Sequence, residues 1–230
     1  MNKLLRYIAI TALLICTLAN SPEAKAQEDY RFDIGGGVGM TGYLGDANGS
    51  NLYANPKWDL ELLFRYILNP RWNFKTNFYA GALGGDSSKM TNVFPGENYT
   101  FSTSFYEIGE LAEFHFFEYG MGEYYRKLKR WTPYITAGLS ATVWSVDGHT
   151  YGGFTIPMGV GFKFKPSRRL NLGLEFLMKK VFSDRLDGEN LRDPFMIKSS
   201  FAKNTDWYST LTLTISYEFS KRCAVCNYKD

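Results

Sequence analysis

The sequence of 230 residues has only three cysteines and two histidines. It also lacks a long apolar run: the stretch from Tyr7 to Leu18 is too short to cross a bilayer as a helix, which excludes a helical membrane bundle. No charge dominates, since 26 basic residues stand against 23 acidic ones, and this excludes the electrostatic signature of a nucleic-acid-binding protein. Aromatic residues are abundant instead, with 18 Phe, 16 Tyr and 5 Trp, and this ring content excludes a disordered chain.

The first 26 residues have the features of an export signal. Lys3 and Arg6 precede the apolar run, and Ala24-Lys25-Ala26 supplies the small residues that signal peptidase requires. We therefore predict a signal peptide over residues 1–26. A lipoprotein signal would use Cys16, but a bulky isoleucine precedes it where a small residue is expected.

Export leaves Cys223 and Cys226 in an oxidising compartment, either as a disulfide or as two thiols. A redox dithiol would need a surrounding βαβ unit, and a zinc site would need two more ligands. We therefore predict neither, and no metal site.

Alternation of apolar and polar residues recurs along the mature chain, and no segment carries a sustained helical stripe. We count eight alternating segments of 9 to 15 residues and interpret each as a β-strand. The second segment is the cleanest: it sets Trp58, Leu60, Leu62, Phe64 and Tyr66 against Asp59, Glu61, Leu63 and Arg65. In the fourth segment Glu110 interrupts the apolar face, and the pattern gives no reason for it.

The lengths of segments and connections predict a membrane barrel, because strands of soluble sandwiches usually have about five or six residues. Long connections are predicted at residues 45–55, 85–102, 145–153 and 183–206, and they alternate with tight turns at 69–70 and 166–168 and a medium link at 118–130. This asymmetry is typical of outer-membrane barrels. We therefore predict an all-β fold: an eight-stranded antiparallel up-and-down transmembrane β-barrel over residues 27–219. The tail at 220–230 and both termini are then periplasmic.

The tryptophans are predicted to form a girdle at the two membrane interfaces. Trp58, Trp144 and Trp207 fall at the long-connection ends of their strands, and Trp72 and Trp131 fall at the short-turn ends. Trp144 lies on the inward phase of its strand, so this prediction requires a bulge or a rim position there.

The inward faces carry charges of both signs. Eight strands enclose a space that side chains fill, so we expect a plug of paired charges rather than an open pore. A proton or ion relay through the carboxylates is the alternative. The predicted lumen network consists of Asp59, Glu61, Arg65, Lys75, Glu107, Glu113, Lys163, Glu175 and Lys179.

Motifs for catalysis or cofactor binding are weak. Residues 37–42 match the dinucleotide pattern GxGxxG, but no helix follows the glycines, so no cofactor is predicted. His115 and His149 lack a convincing serine and carboxylate constellation. A lipid-modifying enzyme is an alternative, and no small-molecule substrate is expected.

The link at 118–130 is basic and aromatic and is predicted to lie in the periplasm. It is either a solvated turn or a docking surface for a periplasmic partner, since rings and arginines dominate interface energetics. The candidate docking residues are Tyr119, Tyr124, Tyr125, Arg126, Lys127, Lys129 and Arg130.

A series of short motifs resembles one family, the PorG-type outer-membrane barrel of the type IX (Por) secretion apparatus. In chain order they are residues 43–46, 64–66, 69–72, 106–107, 113–114, 132–134, 156–161, 174–175 and 183–187. Three positions depart from the pattern: Lys75 and Lys179 stand in place of arginine, and His115 in place of asparagine. Lysine makes point-charge contacts where arginine would bind a carboxylate with two bonds.

The resemblance implies a non-enzymatic outer-membrane component of the secretion system. Such a component associates with the periplasmic ring of lipoprotein and partner subunits and is required for cargo export. A small structural or surface-binding barrel is the alternative.

Overall fold

The computed structural model describes residues 30–44, 53, 55–86, 100–121, 127–146, 149–182 and 207–221. The predicted signal peptide, and the tail with Cys223 and Cys226, lie outside these ranges. No helix within them is long and apolar enough to cross a membrane.

Eight antiparallel strands pair in chain order, and β1 also pairs with β8, so that the sheet closes into a barrel. The strands are β1 (Tyr30–Leu44), β2 (Lys57–Ile67), β3 (Trp72–Asp86), β4 (Thr100–His115), β5 (Trp131–Val146), β6 (His149–Phe164), β7 (Leu170–Val181) and β8 (Trp207–Lys221). Closure removes the two free sheet edges that an open sheet would present. The predicted fold class is confirmed.

The two ends of the barrel differ in their connections. At the short-turn end, where the even-numbered strands end, four residues separate β2 from β3 and five separate β6 from β7. At the long-loop end, where the odd-numbered strands end, 12 residues separate β1 from β2 and 25 separate β7 from β8. The long connection predicted at 145–153 is wrong, because β5 runs to Val146 and β6 begins at His149. The two strands extend further along the chain than was predicted, β5 at its end and β6 at its beginning.

Side chains alternate between an exposed outer face and a buried interior. Leu139 and Phe154, for example, are 69% and 76% exposed on the outer face. An apolar surface that encircles the barrel is far larger than the patches that water-soluble monomers expose, and it matches a hydrocarbon environment.

Four of the predicted girdle tryptophans lie on the outer face, with Trp58, Trp72 and Trp131 exposed and Trp207 partly exposed. The placement of Trp144 in the girdle is wrong, because its side chain is 1% exposed inside the barrel. The ladder that pairs β4 with β5 runs through the Phe105–Trp144 pair without a bulge. Strict alternation therefore directs this indole inward.

Candidate functional site

The interior of the barrel next to the short-turn end is built around Arg65 and Glu113. The Arg65 guanidinium donates from Nη1 to Asp33 Oδ2 at 2.9 Å and from Nε to Glu113 Oε1 at 3.0 Å. Lys163 Nζ donates to the other oxygen of Glu113 at 2.5 Å. Glu113 thus joins two cations from different strands, as a buried carboxylate must be paired to offset the cost of its desolvation.

His115 lies beside this group. Its Nδ1 is 3.2 Å from the carbonyl oxygen of Pro70, and its Nε2 is 3.2 Å from Lys163 Nζ. Since a carbonyl only accepts and an ammonium only donates, the arrangement fits a neutral imidazole that carries its proton on Nδ1.

Lys75 occupies the middle of the lumen, where it is fully buried. Its Nζ donates to Glu175 Oε1 at 2.5 Å and to Glu61 Oε1 at 3.3 Å. The Tyr134 hydroxyl donates to the other Glu175 oxygen at 2.7 Å. Lysine thus binds one oxygen of each of two carboxylates here, instead of forming a two-bond contact with one.

Lys179 makes a third cluster, nearer the long-loop end. Its Nζ donates to Glu107 Oε1 at 3.1 Å and lies 3.6 Å from the centre of the Tyr79 ring. The Tyr208 hydroxyl donates to the second oxygen of Glu107. Asp59 is the predicted network member that has no ion pair within the described residues, and it accepts a hydrogen bond from Thr212 Oγ1 at 3.0 Å.

An apolar and aromatic layer fills the lumen toward the long-loop end. It comprises Tyr43, Tyr79, Leu83, Phe105, Leu111, Trp144, Leu177, Val181 and Tyr208. Most of these residues lie near the long-loop ends of their strands. The interior therefore combines paired charges with an apolar and aromatic layer, where charges alone were predicted from the sequence. The two overlap where Lys179 and Glu107 contact Tyr79 and Tyr208.

The predicted set omits Asp33, Tyr134 and Tyr208, whose side chains bond to its members. Asp33 shares the inward phase of β1 with glycines, and its carboxylate accepts from both Arg65 and Ser216. Its position, two residues before a run of inward-facing glycines, could have identified Asp33 from the sequence. The tyrosines carry no formal charge, so a search for charges overlooks them.

Tyr119, from the link between β4 and β5, lies at the short-turn end of the interior. Its hydroxyl donates to Asn171 Oδ1 at 2.8 Å, and Lys165 Nζ lies 5.3 Å from the centre of its ring. Burial raises the pKa of the Tyr119 phenol above its ordinary value, so the hydroxyl keeps its proton and remains a donor. Lys165 is itself paired with Glu218 at 2.5 Å. This predicted docking residue therefore faces the barrel interior.

The other described docking residues, Lys127, Lys129 and Arg130, are exposed to solvent. The two ends of the link are paired with each other, because Gly120 N donates to Lys129 O at 3.0 Å and Lys129 N donates to Glu118 O at 2.8 Å. Tyr119 N also donates to Pro70 O at 3.2 Å, and this bond fixes the link to the β2–β3 turn of the barrel. Lys129 Nζ lies 3.9 Å from the centre of the Phe117 ring. Tyr124, Tyr125 and Arg126 lie outside the described residues.

The side chains of this interior pair their charges and fill the lumen. In the described ranges, no group of three His, Cys, Asp or Glu side chains could hold a metal ion. His115 is engaged in the lumen, whereas His149 is exposed at the start of β6. The lumen side chains form a packed, charge-paired plug.

These features define a class: a closed eight-stranded antiparallel barrel of the outer-membrane type with a filled lumen. The chain belongs to the family described as "Domain of unknown function (DUF6089)", whose model it matches over residues 8–228. No curated protein matches the chain.

Among solved structures, the chain is similar to neisserial surface protein A, with 12% identity, a TM-score of 0.51 and coverage of 82% of this chain and 97% of that one. OprG from Pseudomonas aeruginosa follows with 11% identity, a TM-score of 0.47 and coverage of 86% and 99%. Ail, the attachment invasion locus protein of Yersinia pestis, has 14% identity, a TM-score of 0.43 and coverage of 83% and 99%. The similarity to neisserial surface protein A shows the fold.

Proposed function

We propose that this protein is a non-enzymatic outer-membrane component of the type IX secretion system that associates with the periplasmic ring complex and is required for cargo export. In this proposal the apolar outer face lies in the outer membrane, and the short-turn end faces the periplasm with both termini. The outer face supports the membrane location, because only hydrocarbon solvates such a surface without cost.

The sequence motifs that resemble the PorG-type family support the proposal through their positions. Arg65, Glu107, Glu113, Tyr134 and Glu175 belong to these motifs, and all five are buried in the charge-paired lumen. Side chains in such a network constrain one another, so a family that keeps this lumen would keep these residue types in this order.

The observation that carries the proposal is the exposed basic surface of a link that is fixed to the barrel. Lys127, Lys129 and Arg130 project from a segment whose backbone is hydrogen-bonded to itself and to the β2–β3 turn. A filled lumen offers no route for cargo, so a function in export has to act through the surface. A preorganised basic surface loses little conformational entropy when a partner binds.

The test is capture of the ring subunits from cells that carry charge reversals on this surface. We expect Lys129→Glu with Arg130→Glu to reduce copurification of ring subunits and cargo export at least about tenfold, since like charges across an interface are repulsive. The matched control is Arg168→Glu, an equally exposed base on the β6–β7 turn at the same end of the barrel.

Both variants must still fractionate with the outer membrane. Unchanged capture and export in the double variant would remove the docking surface. Normal export after deletion of the whole protein would remove the secretion role and leave a structural or surface-binding barrel.

A further inference from the structure

Glu110 is an acidic side chain on the apolar outer face of the barrel. It lies on β4, four residues from Tyr106 and four from Phe114. Both of those rings are paired with rings of β3, Phe78 with Tyr106 at 6.4 Å and Trp72 with Phe114 at 5.0 Å. Glu110 is therefore placed midway between two aromatic levels, near the centre of the apolar belt.

The contacts of Glu110 leave its charge without a cation. Thr76, directly opposite on β3, donates from Oγ1 to Glu110 Oε1 at 2.6 Å. Its neighbour on β5 is Leu139, and the next pair on the same face is Ala112 with Ala137. In the described part of the chain Glu110 has one hydrogen bond and no ion pair.

Lipid cannot supply that cation. Four residues of a strand tilted by about 45° rise about 9 Å, so the carboxyl group lies that far inside each aromatic level. Headgroup amines and water lie at or beyond those levels, because aromatic belts mark the membrane interface. A carboxylate in hydrocarbon is costly, and such residues in membrane proteins commonly pair with one another or face a polar partner.

A second copy of this chain does not supply the cation either. Of the outward-facing residues that the structure describes away from the strand ends, none carries an amine or guanidinium group. Lys180 does face outward, but it lies at the long-loop end of β7, where its Nζ is 5.4 Å from the centre of the Trp207 ring.

We propose that Glu110 anchors a docking face for a membrane-embedded segment of another protein that carries a lysine or arginine. The face consists of Thr76, Glu110, Ala112, Ala137 and Leu139. The small side chains beside Glu110 allow a close approach of the partner's backbone, as in other membrane interfaces. The inference rests on the membrane location in the proposed function, and it concerns a different surface from the basic link.

The test is photo-cross-linking in intact cells, with a photoreactive amino acid at Leu139 and, as the matched control, at Leu213 on another wall of the barrel. Both positions are outward and well exposed, at 69% and 58%. We expect one protein adduct from position 139 and none from 213. Mass spectrometry of the adduct should identify an apolar segment that contains lysine or arginine.

Two further variants test the charge itself. Glu110→Gln keeps the size of the side chain and an acceptor for Thr76 but removes the charge, and we expect it to reduce the adduct at least about tenfold. Thr76→Val removes the hydrogen bond and keeps the charge, and the adduct should persist. Heat-modifiable migration in gels checks that each variant forms a folded barrel.

With the chain in the outer-membrane fraction, any of four results would overturn the inference alone: lipid adducts only, an adduct of two copies of this chain, a partner segment without a basic residue, or an adduct that Glu110→Gln leaves unchanged. A chain absent from the outer-membrane fraction would overturn the proposed function as well.

Discussion

At the scale of single residues, the difference between the lumen and the rim of the barrel lies in solvent. Glu113 is fully buried and contacts Arg65 and Lys163, whereas Glu118 is half-exposed and contacts Arg71 at 3.4 Å. Both residues form ion pairs, but water screens the second pair and leaves the first unscreened. Geometrically similar pairs therefore differ widely in what their loss costs.

We expect Glu113→Gln to lower the free energy of unfolding by about 3–5 kcal/mol. The substitution removes the carboxylate that pairs with Lys163 and leaves Arg65 paired with Asp33 alone. Glu118→Gln is the matched control, and its effect should be within about 1 kcal/mol. Urea titration of the purified barrel in lipid vesicles measures both. Equal effects of the two substitutions would show that Glu113 is as well solvated as Glu118, against its burial in the structure.

At the scale of strands, the interior depends on glycines that leave room for side chains crossing the lumen. A Cβ atom on Gly161 of β6 would overlap the phenol ring of Tyr134, which packs across from β5. That ring is itself fixed by the hydrogen bond from its hydroxyl to Glu175 at 2.7 Å. A Cβ atom added to Gly152, on the same strand, would have Thr142 O as its nearest neighbour, at 3.7 Å.

Gly161→Ala should therefore destabilise the barrel by about 1–3 kcal/mol, through overpacking against a ring that cannot move aside. Gly152→Ala, the control, should change stability by no more than about 0.5 kcal/mol, or stabilise the strand slightly. Combining Gly161→Ala with Tyr134→Ala tests the cause. If the two losses simply add, the alanine methyl and the phenol ring do not compete for the same space.

The strands were predictable from the sequence because an apolar exterior imposes a period of two along each of them, as from Trp58 to Tyr66. The same rule identified the inward charges.

Trp144 was misplaced because its residue type, which favours membrane interfaces, was given more weight than its inward phase on the strand. Glu110 breaks this alternation on the outer face. Alternation reports only the average environment of a face, so it cannot explain a single polar residue on an apolar one. The aromatic layer was missed because apolar side chains inside a barrel look the same in sequence as those outside.

At the scale of the whole molecule, the filled lumen separates the two surfaces that we propose to bind partners, the basic link and the face around Glu110. Most of the paired charges lie toward the short-turn end, most of the buried rings lie toward the long-loop end, and the Tyr119 hydroxyl contacts Asn171 at the short-turn end. Binding at the basic link and binding at Glu110 would then be communicated only through the wall and its plug. Such a molecule is suited to anchoring an assembly in the membrane rather than to conducting solutes.

The purified protein should accordingly form no stable channels in planar lipid bilayers. Arg65, Lys75 and Trp144 lie in the interior and are each no more than 2% exposed, as expected for a lumen that side chains rather than water fill. An ion that enters would have to displace paired charges in a medium of low dielectric constant, which costs several kcal/mol for each ion. A porin reconstituted in the same way is the control for insertion. Reproducible current steps of a single defined size, as opposed to transient leakage, would mean that the plug opens. The protein would then be a channel, and the proposed anchoring role would be wrong.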